Sequence, residues 1–206
     1  MNKSRLEAFS DAVMAVAITL LALDLKVKPV KGLPLSTQLW EQWPVFAAYA
    51  VSFFIIGCIW ISHHALFRVA KGVDRSVLAY NLLLLLFVTA IPFTTATYAD
   101  YATAGGDNAR VAVIAYGTVM AGMSISFTLI LRQLLRAGLF DARLTPDQER
   151  KLLFKYGIGV VVYPVITLIG MLNAQIMLLL YIPVIGYYFG PGARNLEIGP
   201  ARADTP

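Results

Sequence analysis

The sequence predicts an all-α integral membrane protein with six transmembrane helices per subunit, and three observations predict it. Of 206 residues, 58% are hydrophobic and only 14% charged, whereas soluble domains carry about a quarter charged residues. The charges cluster, so the stretches 43–67, 77–99, 111–131 and 156–193 contain no Asp, Glu, Lys or Arg; a helix needs about 20 such residues to cross a ~30 Å hydrocarbon core. Short charged or Gly- and Pro-bearing turns separate these stretches.

The first helix is expected over about Leu6–Leu25. Lys3 and Arg5 before the apolar run Ala12–Leu23 imitate a signal peptide, but Glu7 and Asp11 interrupt the charged region and no convincing cleavage site follows, so the run reads as a membrane helix. Its uncharged centre is too short to face lipid along the whole length, which directs it towards protein or water. Pro29, Gly32 and Pro34 mark a loop, and Trp43–Phe67 forms the second span behind the interfacial pair Trp40 and Trp43. A charged turn (Arg68, Lys71, Asp74, Arg75) precedes Val77–Ala99, which carries Asn81 and Pro92; a membrane helix tolerates such a proline when its neighbours re-satisfy the freed carbonyl. The fourth span is Val111–Leu131, and a basic segment from Arg132 to Lys155 follows as a loop. The uncharged stretch Tyr156–Ala193 is long enough for two spans, with the reversal near Leu172, Asn173 and Ala174. Residues 1–193 thus form a six-helix transmembrane domain, and 194–206 a polar cytoplasmic tail.

Lys and Arg concentrate in cytoplasmic loops. Six spans put Lys3, Arg5, Arg68, Lys71, Arg75, Arg132, Arg136, Arg143, Arg150, Lys151, Lys155, Arg194 and Arg202 on one side, and Lys26, Lys28, Lys31 and Arg110 on the other. Both termini are therefore expected to be cytoplasmic. The same segregation explains the net charge of +5 without nucleic acid, for which a basic stripe with interleaved aromatics would be needed. Cys58, the single cysteine, lies inside an apolar run and reads as a buried thiol.

The first helix carries the most information. At 100° per residue, Phe9, Val16, Leu20 and Leu23 fall on one stripe with Thr19 at its edge, while Asp11 lies well away from it. Two readings are open: a packing face against a neighbouring helix, or a pore wall whose hydrophobic rings gate by dewetting. Asp11, an ionisable group in a membrane span, calls for a partner such as an Arg, a His or backbone donors. The second helix ends in Trp60-Ile61-Ser62-His63-His64-Ala65-Leu66-Phe67. Adjacent histidines point about 100° apart and no further Cys or His completes a site, so no metal is expected; a buried His such as His63 fits a hydrogen bond to Ser10 or Asp11, and one His facing water at the membrane interface is an equally ordinary fate. A hydrolytic set of Ser10, Asp11 and His63 lacks a recognisable base pairing and oxyanion site, so no catalytic residues are assigned. The Thr-Val-Gly-Tyr-Gly carbonyl filter of potassium channels is absent, and Gly186 and Gly190 read as a packing pair.

Arg5, Phe9, Ser10 and Asp11, with Ala15-Val16-Ala17-Ile18-Thr19-Leu20-Leu21, His63-His64-Ala65-Leu66-Phe67, Asn81-Leu82-Leu83 and Ile91-Pro92, resemble the transmembrane-protein-175 family of potassium channels over roughly the first half of the chain. That family's signature is Arg-x-x-x-Phe-Ser-Asp at the start of the first helix. The resemblance implies a pore without a re-entrant loop, lined by the first helix of each six-helix unit, and, for a chain with one unit, a homotetramer in the cell membrane. It places the hydrophobic constriction on Val16, with Thr19 and Leu20 one turn on and Leu23 another. The position is often Ile or Leu in the family, so Leu20 and Leu23 are alternatives to the smaller Val16. Arg5, Phe9, Ser10, Asp11, Trp60, His63 and Asn81 would form the structural network holding the first helix. The implied activity is passive passage of potassium, modestly preferred over sodium, with no cofactor beyond the permeant ion and with membrane lipid as the remaining partner. A proton-coupled secondary transporter using Asp11 or His63 is the alternative, against which stands the lack of an inverted repeat or paired broken helices.

Overall fold

A computed structural model describes residues 2–27, 30–102, 105–141 and 144–189. Lys28, Arg143, Gly190 and the expected tail at 194–206 lie outside the described residues.

The elements run α1 (Lys3–Leu21), a 3-10 turn (Ala22–Asp24), α2 (Leu35–Glu41), α3 (Trp43–Arg68), α4 (Arg75–Tyr101), α5 (Gly106–Arg136), α6 (Pro146–Gly157), α7 (Gly159–Gly170) and α8 (Ala174–Phe189). Among the described residues, five helical stretches are long and apolar enough to cross a membrane, the fifth being α6 and α7 together, and α8 is a sixth, shorter apolar helix of 16 residues. The protein is a multi-pass, all-helical membrane protein.

Each helix starts where the local chemistry dictates. Asn2 caps α1 by accepting from the Ser4 amide at 3.2 Å, and Asp74 caps α4 by accepting from the Val77 amide at 2.8 Å, each satisfying an otherwise orphaned donor. Thr145 and Gln148 form a reciprocal capping box at the start of α6. This helix corrects the expectation of a loop from Arg132 to Lys155: α5 continues to Arg136, and the fifth span begins as a charged helix at Pro146 rather than at Tyr156. A second correction is α2, which fell in an expected loop. Its Gln38 side chain bonds Val30 N, Val30 O and Leu33 O at 2.7–3.2 Å and so folds the loop back upon the helix. The reversal between α7 and α8 falls at 171–173, where Asn173 Oδ1 accepts from the amides of Gln175 and Ile176.

The helices α4 and α5 pack along most of their length and form the centre of the bundle, with α1 and α3 against α4 on one side and α7 against α5 on the other. Close approach of α5 and α7 requires glycine: a Cβ on Gly117 would lie 2.7 Å from Thr167 Cβ. Without a hydrophobic driving force between helices in lipid, such small-residue contacts are a main source of cohesion.

At the end of the bundle holding the N-terminus, the connections are stitched together. Ala70 and Phe140 pair as an antiparallel bridge, with Lys71 N donating to Leu139 O at 2.9 Å and Asp141 N to Val69 O at 3.0 Å. Lys3 Nζ donates to Phe67 O at 3.0 Å and to Ala70 O at 2.7 Å, placing a cation on the carbonyls at and just past the C-terminal end of α3.

Candidate functional site

The face α1 turns inward is narrow. Leu6, Ser10, Met14, Ala17 and Leu21 are buried against α3 and α4, at the i, i+4, i+7 spacing of one helix face. The apolar stripe points elsewhere: Phe9 is 50% exposed, Val16 55%, Leu20 40% and Leu23 63%. Leu23 sits in the 3-10 turn at the end of the helix, and Thr19 is also exposed. The packing-face reading of the stripe therefore does not hold within one chain. Val16, Thr19 and Leu20 form a surface ridge along a helix that is anchored on a different face. The Thr19 hydroxyl donates to Val16 O at 2.8 Å, which spends its hydrogen on the helix and leaves its oxygen lone pairs on the exposed side.

The anchor is a chain of buried polar groups. Ser10 Oγ donates to Leu6 O at 2.9 Å, Asn81 Nδ2 donates to Ser10 Oγ at 3.0 Å, and Asn81 Oδ1 lies 2.9 Å from His63 Nε2. Ser10 and Asn81 are fully buried and His63 is 1% exposed. The direction of each bond follows from the inventory of donors. Ser10 has one hydrogen, already used on Leu6 O, so it can only accept from Asn81. The Asn81 amide must then present its oxygen to His63, and His63 Nε2 must carry a hydrogen. Three helices are thereby tied in one orientation. The His63 ring also packs on Phe67, with centroids 4.4 Å apart.

Asp11 is held separately. Trp60 Nε1 donates to Asp11 Oδ1 at 2.9 Å, on the more exposed side of the α1–α3 contact, and Trp60 stacks on His64. The partner expected for Asp11, an Arg, a His or backbone donors, is thus an indole. His63 reaches Ser10 through Asn81, not directly. Arg5 and Phe9 are exposed, and among the described residues the Arg5 side chain makes no hydrogen bond or ion pair. The bonds thus bring together Ser10, Asn81 and His63 in one set and Asp11 and Trp60 in another, leaving Arg5 and Phe9 outside both.

The sequence reading missed a second buried cluster. Ser52 Oγ lies 2.8 Å from Thr95 Oγ1 and 2.9 Å from Tyr116 OH, joining α3, α4 and α5. Tyr98, Tyr116, Tyr181 and Tyr163 follow in ring contact at 5.5–5.8 Å, and Tyr98 OH donates to Ala174 O. No local pattern announces this cluster; its hydroxyls sit singly within apolar runs. Near it, beside the far end of α1, opens a cavity of about 340 Å³ lined by Leu21, Asp24, Glu41, Pro92, Thr95 and Asp100 among others.

Comparison with known proteins agrees with this fold. The family model described as endosomal/lysosomal potassium channel TMEM175 matches residues 5–92, the segment carrying α1, α3 and most of α4. A potassium channel of Streptomyces collinus is 39% identical over 196 residues, covering 92% of this chain and 93% of the relative. The human endosomal/lysosomal proton channel TMEM175 is 37% identical over 101 residues, covering 45% of this chain and 20% of that protein. Among solved structures, the lysosomal potassium-selective channel TMEM175 homologue of Chamaesiphon minutus superposes with a TM-score of 0.79 at 28% identity, over 90% of this chain and 95% of that one. With a relative 39% identical over 92% of the chain and a helical bundle matched over nearly its whole length, this chain belongs to the TMEM175 family of ion channels.

Proposed function

We propose that this chain is one subunit of a homotetrameric channel that passes potassium, modestly preferred over sodium, across the cell membrane, with both termini in the cytoplasm. One observation carries the reading: α1 is fixed on its inner side by buried bonds while its apolar ridge of Val16, Leu20 and Leu23 stays exposed. A ridge on the outside of a bundle cannot enclose a path alone, so a pore walled by it takes several copies around an axis. Val16, Leu20 and Leu23 then supply successive hydrophobic rings, and an ion passing them sheds part of its water. The lone pairs of Thr19 offer a weak acceptor one turn from Val16. Such a filter discriminates less than a rigid carbonyl cage, which fits a modest preference. The relative from Streptomyces collinus, a potassium channel by name, supports the choice of ion. The orientation rests on Lys3, Arg68, Lys71, Arg75, Arg132, Arg136, Arg150 and Lys151 lying at the end opposite Lys26, Lys31 and Arg110.

The test is the purified protein in a planar bilayer with potassium on one side and sodium on the other. The expected reversal potential is displaced towards the potassium equilibrium value, with current that does not saturate, and Val16→Ala is expected to raise sodium permeation. An unchanged permeability ratio in that variant removes Val16 from the filter, and absence of current overturns conduction altogether.

Proton movement is the second reading, and one observation favours it: the animal relatives are named proton channels. Asp11 and His63, the groups a proton path or a proton-coupled transporter would use, are bonded to Trp60 and Asn81. Current that follows an imposed pH gradient at equal potassium would favour this reading.

A further inference from the structure

Along α5 and the α6–α7 pair, which run antiparallel, the helices touch closely at Gly117 with Thr167 and at Gly159 with Ser124. They part on the outer surface, where the helix breaks at Ile158. The gap is a groove of about 550 Å³, within the roughly 300–1,000 Å³ of pockets that hold small ligands. Its walls are apolar, including Ile125, Leu129, Phe154 and Val161, of which Phe154 and Val161 are about two-thirds exposed (68% and 66%). Among the described residues, the charged one lining it is Arg132, near the C-terminal end of α5.

Two further arginines continue the walls past Arg132. Arg136 lies one turn further along α5, and Arg150 one turn before Phe154 on α6. All three arginines are exposed, and among the described residues none has a side-chain hydrogen bond or ion pair. The neighbouring Lys151 is different, since Asp147 binds it at 2.6 Å. Glu149 is next to Arg150 in sequence and about 100° around the helix from it. The groove is thus hydrocarbon-like over its length and cationic at one end only.

We infer that this groove binds a phospholipid with a net-negative headgroup, its acyl chain along Leu129, Phe154 and Val161 and its phosphate against Arg132, Arg136 and Arg150. The guanidinium fork suits a phosphate, which it can grip through two parallel bonds. A zwitterionic lipid would bring its own ammonium against the same arginines, and a soluble anion would leave the apolar walls uncovered. The site is independent of the conduction reading: it lies on the far side of α4 and α5 from α1.

Native mass spectrometry of the purified full chain in detergent, titrated with phosphatidylglycerol and phosphatidylcholine of the same acyl length, tests it. Phosphatidylglycerol should be retained preferentially. A basic residue near a lipid surface contributes about 1 kcal/mol, or roughly fivefold in affinity, so Arg132→Gln should weaken phosphatidylglycerol about that much. The variant combining Arg132→Gln, Arg136→Gln and Arg150→Gln should lose the preference, whereas Lys31→Gln, which removes one charge at the other end, should keep it. Val161→Trp should reduce retention by filling the groove. Equal retention of the two lipids by the unaltered protein, or a preference undiminished in Arg132→Gln, overturns the proposal. Binding of inorganic phosphate at the arginines that displaces the lipid, together with no effect of Val161→Trp, overturns the lipid in favour of a free anion. Should the triple variant not fold, Arg132→Gln and Val161→Trp decide.

Discussion

Replacing Asn81 with alanine should loosen α1 from the bundle. The substitution removes the bonds to Ser10 at 3.0 Å and His63 at 2.9 Å from a site where all three residues are at most 1% exposed. Ser10 suffers least, because its hydrogen remains on Leu6 O. His63 Nε2–H is left with no acceptor, and an orphaned buried donor costs about 1–3 kcal/mol. Polar bonds between membrane helices measure lower, about 0.6 kcal/mol on average and up to about 1.7, because the unfolded chain in lipid also finds partners. Together these bound the expected loss at about 2 kcal/mol, near a thirtyfold change in the folding equilibrium. Reversible unfolding in mixed micelles reads the loss. A cycle with His63→Ala reads the coupling, expected at about 0.6–1.7 kcal/mol. Replacing Asn81 and His63 together by leucine should recover most of the stability, since removing both partners leaves nothing orphaned. A loss below about 0.5 kcal/mol for Asn81→Ala, typical of an uninvolved surface change, or zero coupling in the cycle, would refute the assignment of this chain of bonds as the anchor of α1.

Gly117→Ala should cost about 1–3 kcal/mol by overpacking, because the added carbon meets Thr167 Cβ at 2.7 Å and no rotamer of a β-branched residue moves that atom; Thr167→Gly in the same chain should restore stability, as thermal unfolding in detergent would show. The hydrogen bond from the Val77 amide, with a further one from Gln133 Nε2 at 2.7 Å, holds the Asp74 carboxyl below its usual range. A carboxylate whose pKa is lower folded than unfolded adds stability above its unfolded value, about 3.9, and that stability is lost as the pH falls through the folded value. Asp74→Asn should therefore flatten the decline of stability with acid below about pH 4; an unchanged acid limb would show that the cap contributes nothing there.

How much of this could be seen in the sequence depends on the range of each interaction. Uncharged stretches mark spans because the bilayer imposes a length on every one of them, and the stripe of Phe9, Val16, Leu20 and Leu23 is legible because helical period alone aligns it. The turn at Asn173 is legible for the same local reason. The helix α6 escapes a search for uncharged stretches because Asp147, Glu149, Arg150, Lys151 and Lys155 interrupt its apolar residues, although Thr145 and Gln148 carry the capping-box spacing that reveals it. Partners are different. Asn81 lies 71 residues from Ser10 and 18 from His63, and Tyr116 lies 64 from Ser52; which polar groups meet across helices depends on rotation and depth, which composition leaves free. Here the consequence is specific to α1. The stripe and the anchor occupy faces roughly 110° apart on one helix, so the same rotation that buries Ser10 beneath Asn81 must expose Val16 and Leu20. A variant that lets α1 turn should change both at once, which makes loss of the buried bonds and altered exposure of the ridge a single structural event.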